Sequence, residues 1–341
     1  MKRVILVLIS FLLIFGFCLF LLTKPYYDFY KNITSIPLLN FVTNEDLPNV
    51  TSQINFVLLG IGGGSHEGPD LTDSIQVANL DLQNARVRIL GIPRDIWIES
   101  SKDKINTLYT YAEKKSPGSG LNSMQDTLQK LTGTNITFTA VINFDHFSEL
   151  IDTLGGIDVV VANSFIDDHY PIKGKENDTC GGDTSYKCRY KTLSFTAGKN
   201  HFDGETALAF VRSRYSTSDE GNDFARLQRQ QSVIEAIIEK LKKHLSNPTV
   251  SKLRNIYAVL DKAVVRNIEN DKLMSVFRKL LVKMGNIKIE KTSYPVDYFY
   301  FPPLTSIKYN RKYVLLPKND DFDSLATISA CLLTGTGNNC Y

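Results

Sequence analysis

The stretch TFTAVINFDHFSELIDTLGGIDVVVAN, residues 137–163, contains both kinds of secondary structure in immediate succession. Residues 137–144 and 157–163 are short runs rich in β-branched and aromatic side chains, which pack well on a pleated surface and read as strands. The segment between them, DHFSELIDTLGG, reads as a helix, and Gly155 and Gly156 supply its stop signal. Strands alternating with helices imply a layered α/β domain.

Working outward, INFVLLGI (54–61), DSIQVANLDL (73–82) and RVRILGIP (86–93) read as further strands, while KINTLYTYAEKK and LNSMQDTLQKL read as helices. A long amphipathic helix is expected to begin at Asp223 as its N-cap, with Leu227, Ile234, Ile237, Ile238 and Leu241 on one face. After residue 250, two more helices, a hairpin-like YVLLP and a short helical segment follow, and they either complete the main domain or form an appendage.

At the other end, residues 4–22 form an apolar run about as long as the ~20 residues a helix needs to cross a bilayer. No small-residue cleavage site follows it, so the run is expected to remain as a single membrane helix. Lys2 and Arg3 precede the run and Lys24 follows it, which places the N-terminus in the cytoplasm and the bulk of the chain outside. The expected organisation is a cytoplasmic tip and membrane helix (1–23), an extracytoplasmic stalk (24–50), a main domain (51–250) and the C-terminal segment (251–341). Beyond Cys18 in the apolar run, Cys180, Cys188, Cys331 and Cys340 fall into two short-range pairs, which fits two local disulfides outside the cytoplasm.

The formal charge is +3, but Lys2, Arg3 and Lys24 account for it, and the remainder is balanced. That balance argues against a nucleic-acid partner, which needs a net basic face. Local charge is another matter, because FVRSRYSTSDEGNDFARLQRQQ (210–231) gathers Arg212, Arg214, Arg226 and Arg229 among Asp219, Glu220 and Asp223. Arg226 and Gln230 share a face in the first turns of the expected helix, where the dipole favours an anion. Arg212 and Arg214 point to one side if their segment is extended. Guanidinium forks suit phosphate oxygens, so an anion pocket competes with a solvated salt-bridge surface. Other chemistries are not supported: there is no G-K-[ST] loop, GIGGGS lacks the helix that a dinucleotide fingerprint requires, and the histidines show no metal spacing. YPVDYFYFPPL is aromatic enough for a sugar platform, although a core strand beside a turn is the commoner meaning.

The succession LLGI, DLTDSIQV, GIPRDIWI, KINTLY, LIDTLGGIDVVV, HFDGETALAFVRSRY and DFARLQRQQ, over about residues 54–245, resembles the LytR-CpsA-Psr family of bacterial cell-envelope proteins. The resemblance implies a three-layer α/β/α sandwich around a central mixed sheet, and a transferase. Such an enzyme takes a glycopolymer from a polyprenyl phosphate or pyrophosphate carrier and attaches it to peptidoglycan or another cell-wall acceptor. Alternatives for the same residues are a module that binds lipid-linked anionic polymer without reacting it, or a polyprenyl pyrophosphate hydrolase. Carried over by position, the phosphate-contacting residues are Arg94, Arg212, Arg214, Arg226 and Gln230, with Lys104 in the matching KIN segment and Asp73 as the carboxylate for Mg2+. The sequence departs from the family pattern where Gly62 and Gly64 replace an Asp and an Arg, and where Leu71 replaces an Arg. Asp70, or else Glu67, is the candidate to replace the lost metal ligand, Asp70 being three residues before Asp73. The sheet-facing side of the helix after Asp223 is expected to wall an apolar cavity for the isoprenoid tail.

Overall fold

A computed structural model describes residues 2–43, 51–63, 70–216, 218–335 and 340, with side chains from residue 15 onward except at residue 296. Strands β1 (Gln53–Ile61), β2 (Thr72–Asp81) and β3 (Arg86–Gly91) form an antiparallel meander. The β2–β3 turn is closed by the Asp81 carboxylate, which accepts from the backbone amides of Gln83 (2.9 Å) and Asn84 (3.0 Å). Two short strands, β4 (Trp97–Ile98) and β5 (Asp103–Lys104), pair with each other. Helices α3 (Leu108–Lys115) and α4 (Gly120–Thr132) then cross over one face to β6 (Ile136–Asn143), which runs parallel to β1. The expected helix KINTLYTYAEKK is thus shorter than its sequence pattern, because Lys104 is still in a strand.

The six-stranded mixed sheet is completed from the C-terminal segment. β11 (Val264–Arg266) pairs antiparallel with β6 at one edge, and β12 (Lys288–Thr292) runs parallel to β3 at the other. Period-two alternation divides the two faces. Val57, Leu59, Ile75, Val77 and Leu90 pack with Met124 and Leu128 of α4 and Leu325 and Leu332 of α10 (Phe322–Thr334). Ile54, Ala78, Leu80, Val87 and Ile89 face the opposite side, toward α7 (Asp223–Ser246) and α9 (Asn270–Leu281).

Beside the sheet, α5 (Phe144–Thr153) leads through Gly155 (φ 72°) and Gly156 (φ 73°) to β7 (Ile157–Val161). The hairpin β8 (Phe165–Pro171) and β9 (Tyr190–Phe195) follows, then β10 (Gly198–Phe202), which pairs with β7, and α6 (Gly204–Arg212). Phe165, Phe195, Phe202 and Phe210 form one ring cluster that holds these elements together. The expected disulfides Cys180–Cys188, in the β8–β9 connection, and Cys331–Cys340, from the last turn of α10 to the residues beyond it, are both formed. Of the sugar-platform candidate, Tyr294 and Phe299 are core residues, and β13 (Phe299–Tyr300) pairs with β14 (Leu316–Pro317).

Of the segment expected to be a stalk, residues 24–43 are largely helical and docked, and residues 44–50 lie outside the described residues. α1 runs Lys2–Ile33 and α2 runs Leu38–Thr43, packing on α8 (Val250–Ala263) and α9. Phe29 meets Tyr257 edge-on at 5.8 Å, Thr34 Oγ1 donates to Asp271 (2.7 Å), and Arg278 donates to the carbonyls of Phe41 and Val42. Side-chain contacts from distant helices thus impose an order that local periodicity does not signal. Among the described residues no helix is long and apolar enough to cross a membrane; most of the run 4–22 lies outside the described side chains.

Candidate functional site

Four elements bring the arginines together. Arg212 is the last residue of α6, and Arg214 follows it in a segment that leaves the helix at Ser213 (φ −54°, ψ 134°). The condition of an extended segment is not met at Arg212, which ends a helix, yet both arginines line the same pocket. Arg226 and Gln230 come from the first two turns of α7, Arg94 from the loop after β3, and Asp73 from the start of β2. All six line one pocket of about 150 Å³, together with Phe144, Asp167, Tyr170, Pro171, Val211 and Tyr215.

Arg229 does not join them. It is 4% exposed, and its guanidinium donates to the carbonyls of Phe210 (3.0 Å), Ser213 (2.6 Å) and Glu220 (2.7 Å) and to the Glu220 carboxylate (2.7 Å). It fastens the end of α6 to the loop before α7, which fixes the segment carrying Arg212 and Arg214. Asp167 holds the other side. Fully buried, it accepts from Ser213 Oγ (2.5 Å) and from the Arg214 backbone amide (3.0 Å). Sequence reasoning missed Asp167, whose one signal is a carboxylate at an inward position of β8 in FIDDHYP.

The N-cap of α7 is Asn222 rather than Asp223: its side chain accepts from the Ala225 amide at 2.8 Å. One free amide is thereby used within the helix, so charge in the pocket comes mainly from side chains. Asp223, the first helical residue, instead pairs with Arg226 at 3.0 Å. Burial raises the Asp223 carboxyl, but Arg226, Arg94 and Arg214 outweigh it and hold the group below its ordinary range.

The pocket is short of negative charge. Burial, and then the neighbouring Arg94, push Arg226 down to about 10, and it remains protonated at neutral pH. Arg94 donates to Asp73, and its Nε stands 3.6 Å from Asp95, beyond hydrogen-bond reach. The buried Nε atoms of Arg94 and Arg226 have no acceptor among the described residues. Unmet buried donors of this kind are costly, and phosphate oxygens would satisfy them. Asp95 is structural: 3% exposed, it accepts from Lys104 Nζ at 2.7 Å. Lys104 itself lies outside the pocket lining and supports Arg94 through Asp95.

Asp73 is the carboxylate in the pocket best suited to a divalent cation. Asp70 is exposed outside the pocket lining, its carbonyl accepting from Thr110 Oγ1 at 2.6 Å. Gly64 and Glu67 lie outside the described residues.

A second cavity, of about 370 Å³, adjoins the first. Phe144, Val211 and Gln230 line both. Its walls are Leu58 of β1, Ala140 and Ile142 of β6, Ile234, Ile238 and Leu241 of α7, and Leu260 of α8. Several apolar α7 residues are only partly buried because they face this space rather than a packed core. Leu227 behaves otherwise, packing against Gly91 of β3. Gln230 sits at the junction, its Oε1 accepting from Ser74 Oγ (2.9 Å) and Gln76 Nε2 (3.0 Å).

This architecture is found in known proteins. The chain is 24% identical over 295 residues to the polyisoprenyl-teichoic acid–peptidoglycan teichoic acid transferase TagU of Bacillus cereus (strain AH820), covering 81% of this chain and 86% of that protein. The crystal structure of Bacillus subtilis TagV shares the fold at TM-score 0.57 and 23% identity, over 84% of this chain and 98% of that one. A structure of TagT bound to LIIa-WTA matches at TM-score 0.54 and 20% identity, over 83% and 91%. The LytR_cpsA_psr family model matches residues 31–328, sheet, arginine pocket and C-terminal strands included, and the chain belongs to that family.

Proposed function

We propose that this chain is a transferase that moves a glycopolymer from a polyprenyl phosphate or pyrophosphate carrier to a cell-wall acceptor such as peptidoglycan. The observation that carries the reading is the junction of two cavities. Arg94, Arg212, Arg214 and Arg226 converge with two unmet Nε donors on a pocket that shares Phe144, Val211 and Gln230 with a larger apolar cavity. A phosphate head on an isoprenoid tail has that pattern of charge and greasiness. The name of the TagU relative, a teichoic acid transferase acting between a polyisoprenyl carrier and peptidoglycan, supports the same substrate class.

With a pyrophosphate carrier, an acceptor hydroxyl oxygen bonds to the sugar-bearing phosphorus, the bridging oxygen leaves with polyprenyl phosphate, and the hydroxyl proton passes to solvent. The arginines hold the phosphoryl group in line and neutralise charge on its oxygens, the main aid such a reaction needs. Asp73 fits one coordination position of a Mg2+ ion whose other ligands are phosphate oxygens and water. When bound, the ion supplies further charge neutralisation. The apolar run 4–22 anchors the chain in the membrane that holds its substrate, with the folded part on the extracytoplasmic side; the two disulfides suit that side.

Incubating the purified chain with a lipid-linked pyrophosphoryl oligosaccharide, Mg2+ and peptidoglycan fragments tests the reaction. Joined product is expected. Free sugar phosphate would make the chain a hydrolase, and retention without turnover a binding module. For the metal, calorimetry is expected to detect Mg2+ only when polyprenyl phosphate is present, and Asp73→Ala to abolish that binding. Tight Mg2+ binding to the lipid-free chain would refute the single-carboxylate site.

A further inference from the structure

The phosphate pocket holds about 150 Å³, well below the ~300 Å³ at which ligand pockets usually begin. On the reading above, saccharide attached to the phosphate must therefore lie outside it, on the surrounding surface. Two groups of exposed aromatic rings stand there, on different elements.

The first belongs to the pocket rim. Tyr215, directly after Arg214, is 57% exposed and lines the pocket beside Tyr170 and Pro171 of β8. The His169 ring lies 6.2 Å from Tyr215 and 5.5 Å from Tyr190, and its Nδ1 is 2.6 Å from an exposed Asp168 carboxylate oxygen. An open ring face thus adjoins an accessible imidazole–carboxylate pair.

The second is a stacked pair, Phe301 and Tyr313, with centroids 4.7 Å apart and exposures of 49% and 46%. Backbone pairing ties it to the site. Leu315 donates its amide to the Asp95 carbonyl (2.8 Å), and Ile96 and Leu315 form a parallel bridge, so residues 313–315 run alongside 94–96. Phe224, next to Asp223 on α7, packs on Phe299 at 6.2 Å and holds the same segment at that helix's first turn. Burial, then Asp223 and Asp95, push the Tyr313 hydroxyl up to about 12, which is consistent with its standing in the field of those carboxylates.

Exposed aromatic pairs leave apolar faces in water, an arrangement suited to a ligand that brings its own apolar face. A pyranose ring does so: its C–H face lies on an aromatic ring while its hydroxyls reach polar neighbours at the edge. An enzyme that joins two polymers has to hold two saccharides at once.

We propose that these ledges are separate carbohydrate subsites. Tyr215, with the Asp168–His169 pair, takes the sugar chain joined to the phosphate, because it continues the wall that carries Arg212 and Arg214. The Phe301–Tyr313 stack takes the acceptor saccharide, approaching from the side of Arg94 and Asp95.

The test is steady-state kinetics of the full chain with lipid-linked pyrophosphoryl oligosaccharide and peptidoglycan fragments, alongside direct binding of sugar-free polyprenyl phosphate. Tyr215→Ala is expected to raise KM for the lipid-linked saccharide about tenfold, the scale of losing one stacked ring, to weaken sugar-free polyprenyl phosphate binding far less, as one wall residue of that pocket, and to leave acceptor KM unchanged. Tyr313→Ala is expected to raise only the acceptor KM. Tyr215→Phe and Tyr313→Phe should stay within about twofold of the parent, since the ring face does the holding. Both alanine variants matching the parent in both KM values would overturn the ledges alone, as would Tyr313→Ala losing affinity for sugar-free polyprenyl phosphate, or Tyr215→Ala losing as much for the sugar-free lipid as for the lipid-linked saccharide. Failure of the parent chain to bind polyprenyl phosphate at all would overturn the pocket reading, and the ledges with it.

Discussion

Arg226 and Arg229 are three residues apart on one helix and equally buried, at 4% each, yet their surroundings give them opposite roles. Arg229 has acceptors around it: three backbone carbonyls and Glu220. Removing it leaves those carbonyls without their donor and the largely covered Glu220 carboxylate with Asn163 as its remaining partner, a loss of up to about 3–5 kcal/mol by analogy with broken buried pairs. Arg226 has an unmet Nε, an ion pair with Asp223 and a weaker pull from Asp73, and the guanidinium groups of Arg94 and Arg214 acting against it. A base whose folded pKa is lowered carries a stability cost while it is charged, at every pH below that lowered value. Arg226→Ala is therefore expected to keep the parent's thermal midpoint within a few degrees while weakening polyprenyl phosphate binding by at least about tenfold. Arg229→Ala should lower the midpoint clearly. Calorimetric unfolding and lipid titration of both variants make the comparison, and a reversed order would assign the roles wrongly. The four arginines look alike as letters. Ion pairing within the stretch occupies Arg229 with Glu220 and engages Arg226 with Asp223, yet only Arg226 of the two also lines the pocket.

At the scale of elements, α7 has to be both a core helix and a tunnel wall. Its apolar periodicity is legible, but periodicity cannot say whether a face meets packed side chains or open space. The answer depends on spacing from the sheet. Leu227 closes on Gly91, where a glycine lets helix and strand approach, and Ile234, Ile238 and Leu241 stand back from β1 and β6. Placing a larger apolar side chain in that space should fill it without breaking the fold, because no close-packed neighbour has to move. Ile238→Trp is expected to retain the parent's circular dichroism and unfolding midpoint. It should bind long-chain polyprenyl phosphate about tenfold more weakly while binding inorganic pyrophosphate as the parent does. Equal long-chain affinity would mean that the tail lies elsewhere. The hairpin β8–β9 and helix α6 escape the sequence reading for a related reason: FIDDHYP alternates only briefly, and Arg212 closes a helix whose apolar residues pack on the phenylalanine cluster instead of the main sheet.

For the whole molecule, the docking of α1 and α2 on α8 and α9 fixes how the N-terminal helices sit against the α/β fold. Asp271 is the central tie, accepting from Thr34 Oγ1, from Ser35 Oγ and from the Ser35 amide at 3.1 Å, and these bonds hold its carboxyl below the ordinary range. Asp271→Ala is expected to raise amide hydrogen exchange across residues 24–43 while leaving the sheet protected, since the sheet's contacts lie elsewhere. Unchanged exchange in that segment would show that the aromatic contact of Phe29 with Tyr257 suffices. The sequence by itself determined the α/β class, the four sheet strands β1, β2, β3 and β6, the strand–helix–strand run of 137–163, the two disulfide pairs and the residue types of the pocket, because those rest on local periodicity, short spacing and chemical identity. Tertiary structure alone decided that β11 and β12 complete the sheet edges, that Arg229 is a staple, that Asp167 holds the arginine loop, and that an apolar cavity adjoins the pocket at Gln230. Each of these depends on which distant segments come into contact, and a partner far along the chain leaves no periodic trace in the residues that await it.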